Sequence, residues 1–310
     1  MMKLSAKCVL LSASAVAMPA LAQEQGAAFE NFLLSSPSIV SPSQYYQVKG
    51  GRFEALAGLV NGTADSKPAT SEADISGQNL AAGYAQALSS QLVLGADVHY
   101  VTSELENAGA EFTGSETEIK PTVAFSLNPM FSLGASINII SGEDEAPAGS
   151  ESYSYNTFTV GATVHQDLWE ASLALTTSNE DEDKPNANAA QTISLHGRYK
   201  IMPVLALGLV FDQADYGGIE GPTQTLETET TYGVILESAV SDNSRVEVAF
   251  LSVGNESGNE DSDATQIFLS GGFDLAPAME LGGQLAFSSG ESDTSEYSFN
   301  SYALTLSMHN

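Results

Sequence analysis

The chain has almost no cysteine. Its one cysteine, Cys8, lies within the first 22 residues, which have the features of a secretion signal. Two lysines stand near the start, Val9 to Met18 form a run of apolar and small residues, and Ala20-Leu21-Ala22 is a small-x-small cleavage site. We therefore predict a signal peptide over residues 1–22, after which the exported chain has no cysteine and forms no disulfide.

Long apolar runs are also missing. No stretch after the signal approaches the roughly 18 continuous apolar residues of a membrane-spanning helix, and the run inside the signal is too short for one. The mean hydropathy is −0.04. A value near zero is compatible with a membrane barrel, because its strands need apolar residues only at alternate positions. The sequence therefore argues against helical membrane spans.

Basic residues are scarce. Lysine and arginine total 10 against 39 aspartates and glutamates, which gives a formal net charge of −29, and the predicted signal contains two of the lysines. Binding to nucleic-acid phosphates needs basic patches, so this composition excludes a nucleic-acid partner. An acidic excess is also typical of disordered chains. The aromatic content of 8% and the regular alternation described below argue against disorder for most of the chain.

Motifs for catalysis and cofactor binding are missing too. There is no G-x-S-x-G nucleophile element and no glycine-rich phosphate loop followed by a helix. The four histidines are too scattered for metal-ligand spacing. We therefore predict that the chain is not an enzyme and has no cofactor and no metal site. A membrane-embedded hydrolase stays open as an alternative, because serine is common enough to meet a histidine across two strands.

The chain does contain a regular series of short turns. They carry Asn, Asp, Ser and Pro, which favour tight chain reversal, and a segment with strand alternation lies on either side of each. The alternation is clearest over 92–100, 131–139, 193–201 and 267–275, where apolar residues recur at every second position. The turns are Ser89-Ser90, Asn128-Pro129, Asp167-Leu168, Met202-Pro203, Ser241-Asp242-Asn243 and Ala276-Pro277.

Longer connections alternate strictly with these short turns. The longer loops are predicted at 61–75, 104–115, 141–152, 179–190, 215–225, 255–264 and 290–296.

The segment 204–214 departs from the alternation of apolar and polar residues, because it is apolar on both faces over part of its length. Its inward side packs against something, or its register differs from our assignment.

This arrangement predicts an all-β fold, a closed antiparallel up-and-down transmembrane β-barrel with about 14 strands in a range of about 12–16. Closure follows because an open sheet edge in lipid would leave backbone amides without partners, and an even strand number lets the last strand pair with the first. We expect the barrel with acidic extracellular loops over 45–310 and a periplasmic leader or small plug over 23–44. A soluble β-sandwich is the alternative, but sandwiches rarely show such strict alternation of loops.

Turn-plus-strand phrases carry a family resemblance. The phrases Leu88 to Gly95 and Leu127 to Gly134 resemble those of Gram-negative outer-membrane β-barrel proteins, of the monomeric porin-like type with about 14 strands. The closing segment Tyr302 to Met308 resembles the assembly signal of that class, although methionine takes the place of the usual final aromatic residue and His309-Asn310 follow it. The resemblance implies an outer-membrane location, contact with membrane lipid and lipopolysaccharide, and the barrel-assembly machinery as a partner.

Charged residues within the predicted strands mark the inner face. A basic residue facing mid-membrane hydrocarbon costs about 2–4 kcal/mol, so the phase of the charges identifies the interior. A polar interior of mixed sign suits a water-filled channel and equally suits a closed interior crossed by ion pairs. The lumen-lining candidates are Asp97, His99, Lys120, His165, Glu170, His196, Arg198, Lys200, Asp212, Glu237, Arg245, Glu247, Asp274 and Glu280.

Strand number and loop charge together suggest a transport function. About eight strands leave an interior filled by side chains and 16–18 leave an aqueous channel, so about 14 strands suggest a narrow pore. The predicted loops contain acidic runs. We expect passive diffusion of small hydrophilic solutes with a cation preference, since an anionic mouth concentrates cations. The alternative is a closed surface barrel with a structural, cation-binding or partner-binding role. The acidic rim comprises Glu143, Asp144, Glu145, Glu180, Asp181, Glu182, Asp183, Glu260, Asp261 and Asp263.

Overall fold

A computed structural model provides the coordinates of the chain. Among the residues that it describes, no helix is long and apolar enough to span a membrane. The described residues are 40–66, 72–107, 110–147, 149–179, 189–220, 225–241, 243–257, 262–276, 278–292 and 295–310. The predicted signal peptide and most of the predicted leader lie outside them.

The chain folds into one closed sheet. Each strand pairs antiparallel with its neighbours in sequence, and β1 pairs with β14 in one register from Arg52↔His309 to Ser66↔Ser295. The predicted closed antiparallel barrel of 14 strands is confirmed. The strands are β1 (Gly51–Ser66), β2 (Glu72–Ala87), β3 (Leu92–Asn107), β4 (Ala110–Asn128), β5 (Phe131–Ala146), β6 (Gly149–Gln166), β7 (Trp169–Thr176), β8 (Gln191–Met202), β9 (Leu205–Glu220), β10 (Thr225–Ser241), β11 (Ser244–Ser257), β12 (Ser262–Ala276), β13 (Met279–Ser292) and β14 (Ser295–His309).

The short turns lie where the sequence predicts them, between the end of one strand and the start of the next. Local side-chain bonds stabilise them. In the first turn the Ser89 hydroxyl accepts from the backbone N–H of Leu92 at 3.1 Å. In the second turn the Asn128 side chain accepts from the backbone N–H of Met130 at 2.8 Å.

The predicted long loops are mostly wrong, because strands occupy them. β1 continues to Ser66 and β2 starts at Glu72, so most of the predicted loop 61–75 is hairpin. Beyond the apolar belt the outward positions of β1 are polar, as at Asn61 and Asp65. Polar residues suit a strand that leaves the hydrocarbon, so the hydrophobic alternation disappears while the backbone pairing continues. The other predicted loops are shortened in the same way, except that 179–190 lies largely outside the described residues.

The two faces of the wall differ in burial. The outer face exposes a belt of large apolar side chains, including Leu59, Val98 and Leu209, as lipid contact requires. Inward residues of the same strands are mostly buried. Val210 on β9 is one of these and packs with Ile235 and Phe268. The two-sided apolar pattern of 204–214 therefore reflects inward packing.

Part of the interior is apolar. One cluster of buried inward side chains spans adjacent strands from β9 through β14 to β1, and Ile235 within it has an exposed fraction of 0%. The prediction of a polar interior of mixed sign is wrong on this side of the barrel. We call the cluster the inner apolar surface, and its members are Val60, Val210, Ile235, Ala249, Leu251, Phe268, Ala286 and Phe299.

Candidate functional site

A short segment lies inside the barrel near the short-turn end. We call residues 40–48 the plug segment, and at its centre is a 3₁₀ helix, Pro42–Gln47. Its local sequence explains the helix. Pro42 stands in the first turn, and Ser41 and Gln44 form a capping box in which each side chain bonds to the other residue's backbone N–H. The helix contacts β3 to β7.

Glycines in the wall make room for the plug segment. Gly134 on β5 and Gly161 on β6 are directly paired across the two strands. A Cβ at Gly134 would collide with the backbone of Ser43, and a Cβ at Gly161 would collide with the Ser41 hydroxyl. The plug backbone therefore approaches the wall at a distance that only glycine permits.

Polar side chains attach the plug segment to β6 and β7. The Ser43 and Thr163 hydroxyls lie 2.7 Å apart. Glu170 accepts from the Gln44 amide at 2.8 Å and from the Tyr46 hydroxyl at 2.7 Å, using a different carboxylate oxygen for each. Hydrogen bonds to a charged acceptor are worth about 1.5–3 kcal/mol each, so Glu170 is a principal anchor of the plug segment.

A third carboxylate contact lies on β3. The Tyr45 hydroxyl donates to Asp97 Oδ2 at 2.5 Å. Burial raises the pKa of both Tyr45 and Tyr46, and the neighbouring carboxylates Asp97 and Glu170 raise it further. Both phenols therefore stay protonated at physiological pH and act as hydrogen-bond donors.

Buried ion pairs occupy the inner face of the wall. Arg198 Nε donates to both oxygens of Glu237, at 2.9 and 2.8 Å, and Arg245 Nε donates to Glu280 at 2.9 Å. Arg52 and Glu54 form a further pair on β1. Each buried arginine therefore has a carboxylate partner, as a low-dielectric interior demands.

The predicted lumen-lining residues fall into two groups by burial. The structure brings Glu170 together with His196, and Arg198 together with Glu237, while Asp212 and Asp274 lie on separate strands, β9 and β12. The fully buried residues are Asp97, His99, Glu170, His196, Arg198, Glu237, Arg245, Glu247 and Glu280. The half-buried residues are Lys120, His165, Lys200, Asp212 and Asp274.

The predicted acidic rim lies on strands where the structure describes it. Glu143 and Glu145 are exposed on β5, Asp144 between them is half-buried, and Asp263 is exposed on β12. The prediction that these residues lie in loops is wrong, because the paired strands continue beyond the apolar belt. The remaining rim residues lie outside the described part of the chain, namely Glu180, Asp181, Glu182, Asp183, Glu260 and Asp261.

Exposed carboxylates also meet across strands on the outer wall. Asp65 pairs directly with Glu72 on one side and with Glu296 on the other. Glu296 pairs with Glu291, which in turn pairs with Asp263. Like charges directly opposite one another destabilise a sheet, so this row is a source of electrostatic strain on the outer surface.

The histidines do not form a catalytic arrangement. The nearest polar partners of His196 Nδ1 are the Gln44 amide at 3.4 Å and Glu170 at 3.8 Å. His165 stacks on Tyr46, with ring centroids 3.9 Å apart. In the described part of the chain no serine or aspartate hydrogen-bonds to His99, His165 or His196. The geometry needed for a serine–histidine nucleophile is therefore not found among these residues.

Sequence reasoning missed the main features of the interior. The predicted leader or small plug over 23–44 includes Ser43 but not Tyr45 and Tyr46, and the inner apolar surface was not foreseen. One signal was available for the plug, since serine, proline and glutamine at positions 41, 42 and 44 predict a helix start.

A cavity of about 1340 Å³ next to the plug segment is lined partly by Tyr46, Lys49 and Lys200.

Comparison with known proteins rests on structure. No protein-family model matches the chain, and no curated protein matches it by sequence. The solved structure titled "CymD monoaromatic hydrocarbon channel" is similar with a TM-score of 0.71 and 9% identity, over 92% of this chain and 95% of that one. This chain has the outer-membrane β-barrel fold.

Two further solved structures share the barrel. A FadL homologue from Pseudomonas aeruginosa has a TM-score of 0.70 and 11% identity, over 92% of this chain and 95% of its own. The toluene transporter TbuX from Ralstonia pickettii has a TM-score of 0.67 and 9% identity, over 92% and 95%. At such low sequence identity the similarity establishes the fold of the barrel. It does not identify the transported molecule, which has to be inferred from the side chains of this chain.

Proposed function

We propose that the barrel is an outer-membrane channel for small apolar molecules and that the plug segment closes its periplasmic end. The observation that carries the proposal is the inner apolar surface. Side chains such as Ile235, Phe268 and Phe299 face the interior of a barrel whose outer face is already apolar. These side chains pack against one another in the closed barrel, so an apolar solute would leave water where it replaces some of these contacts. A path for water and ions does not require apolar residues.

The structural neighbours agree with this assignment. Two of them are named for monoaromatic hydrocarbon or toluene passage, and the present barrel has the same fold. The outer-membrane location is part of the proposal and is supported by the apolar outer belt and by the predicted signal peptide. These neighbours are named as a channel and a transporter, which favours transport over catalysis.

Free diffusion of hydrophilic solutes fits the interior less well. The plug segment contacts the wall from β3 to β7, and ion pairs such as Arg198–Glu237 and Arg245–Glu280 are buried on the inner face of the wall. A cation preference would have to come from the outer carboxylates, which lie away from these pairs. We therefore favour a closed resting state that opens for apolar cargo.

Uptake of labelled toluene by cells tests the proposal. The chain is expressed in the outer membrane of a strain that lacks comparable channels, and initial uptake is measured at low toluene concentration. We expect faster uptake than with an empty vector and a loss of most of that gain in Ile235→Asn. The matched control is Val234→Asn, which makes the same kind of change at the adjacent lipid-facing position. Equal uptake with and without the protein would refute the channel.

A second candidate function comes from the outer carboxylates. The cross-strand row from Glu72 to Asp263 would be relieved by divalent cations, because hard cations prefer carboxylate oxygens. A surface barrel that binds cations shared with lipopolysaccharide is therefore the alternative. A melting temperature that rises with calcium, without any toluene uptake, would favour it over the channel.

A further inference from the structure

The Tyr45 side chain is buried against inward residues of β2, β3 and β4, and we call the space that it fills the Tyr45 pocket. The side chain is 3% exposed and packs with Ala85, Val93 and Ala124, all buried. Its ring lies against Gly95, where a Cβ would sit 2.8 Å from Tyr45 Cε1. The pocket is therefore shaped by the aromatic ring that occupies it.

The pocket has one polar end. Asp97 is two residues from Gly95 on the same inward face of β3, and its Oδ2 accepts a hydrogen bond from the Tyr45 hydroxyl. Lys120 stands directly opposite Asp97 on β4, so a basic side chain lies next to the carboxylate. A flat apolar slot that ends in a hydrogen-bond acceptor is complementary to a phenol.

We propose that this pocket is a binding site for small neutral phenols and that Tyr45 occupies it as a tethered competitor. The inference rests on the proposed channel function and names the substrate class that the channel recognises near its periplasmic end. A free phenol that enters the pocket displaces Tyr45 and so weakens the attachment of the plug segment. Binding of cargo and opening of the plug are thereby coupled through one site.

The polar end gives the site its selectivity. A phenol replaces the hydrogen bond between Tyr45 and Asp97, whereas toluene fills the slot and leaves the carboxylate without that donor. Sites built to bond a hydroxyl discriminate strongly against the analogue that lacks it, because a buried polar group is left unpaired. The pocket should therefore prefer p-cresol, which matches the tyrosine side chain from Cβ outward, to toluene.

Binding of p-cresol to the purified full chain with Tyr45→Ala tests the proposal. The substitution vacates the pocket, and binding is measured by equilibrium dialysis with labelled ligand. We expect p-cresol to bind this variant at least tenfold more tightly than it binds the wild type, and at least tenfold more tightly than toluene binds the same variant. Adding Asp97→Leu to Tyr45→Ala removes the hydrogen-bond acceptor and should remove most of the preference for p-cresol. Equal binding of p-cresol and toluene would overturn the inference.

The neighbouring tyrosine supplies the matched control. Tyr46 is also in the plug helix, but its ring stacks on His165 and its hydroxyl donates to Glu170 beside the large cavity. Tyr46→Ala should gain no selectivity for p-cresol, and an equal gain in both variants would contradict a pocket specific to Tyr45.

A milder variant covers the case in which Tyr45→Ala fails to fold. Tyr45→Phe keeps the packing and removes only the hydroxyl, so p-cresol should open conductance in a planar bilayer at a tenth or less of the wild-type concentration. An unchanged concentration would count against the proposal. Toluene uptake is measured in parallel. Uptake without any preference for the hydroxyl would sink the phenol site and leave the channel, whereas selective p-cresol binding without uptake would sink the channel and leave the site.

Discussion

The contact between Gly161 and the plug segment gives the most direct way to open the barrel. In Gly161→Ala the added methyl group would occupy the position of the Ser41 hydroxyl and crowd Pro42. The same Cβ would lie 2.9 Å from the Leu173 carbonyl oxygen on β7, so the wall takes up some of the strain, but the overlap with the Ser41 hydroxyl is much larger. The strain should therefore be released by movement of the plug segment away from the wall.

The magnitude follows from the cost of overpacking. Adding one methyl group to a well-packed contact costs about 1–3 kcal/mol. If the cost falls on the docked plug segment alone, the population of the undocked state rises about 5–150-fold. Single-channel recording in a planar bilayer measures that population as open probability. We expect brief and rare openings in the wild type and frequent openings in Gly161→Ala.

The matched control is Gly197→Ala on β8, where an added Cβ meets no atom within 4 Å. Its open probability should equal that of the wild type, which would show that glycine replacement alone does not open the barrel. A Gly161→Ala channel as closed as the wild type, with an unchanged melting temperature, would refute the reasoning. It would mean that the plug segment does not rest on the wall at this glycine.

Three further predictions concern the anchors and the seam. Glu170→Ala removes the acceptor of two plug side chains and should raise open probability in the same recording. Glu237→Gln leaves Arg198 buried without its carboxylate, and urea unfolding in detergent should show a loss of about 3–5 kcal/mol. Deletion of His309 and Asn310 removes the hydrogen bonds that join Asn310 to β1 and should slow refolding. Refolding is measured by the difference in electrophoretic mobility between heated and unheated samples.

The strand count could be predicted because lipid and the interior impose opposite demands on alternate residues. On β3 this alternation runs from Leu92 to Tyr100 without interruption, and the turn residues then fix the ends. The extensions beyond the membrane could not be separated from loops. There the outer face meets water, so residues such as Asn61 and Asp65 carry no hydrophobic period although their backbone stays paired.

The interior was harder to foresee because it depends on contacts between residues far apart in sequence. Nothing in the order of residues shows that Gly134 and Gly161 are paired, or that both face Ser41 and Ser43. The inner apolar surface was hidden for a related reason. Ile235 and its neighbours on β10 look like one apolar run, and only the register assigns alternate members to lipid and to the interior.

The central claim, that apolar side chains face both the lipid and the interior of one closed wall, is tested most directly by spin labels at adjacent positions of β10. The only cysteine lies in the predicted signal, so Val234→Cys and Ile235→Cys each provide a single labelling site. In bilayers we predict high collision rates with oxygen and low rates with a water-soluble nickel reagent at position 234, and protection from both at position 235. Strong oxygen contact at both positions, or stronger contact at 235 than at 234, would contradict the account.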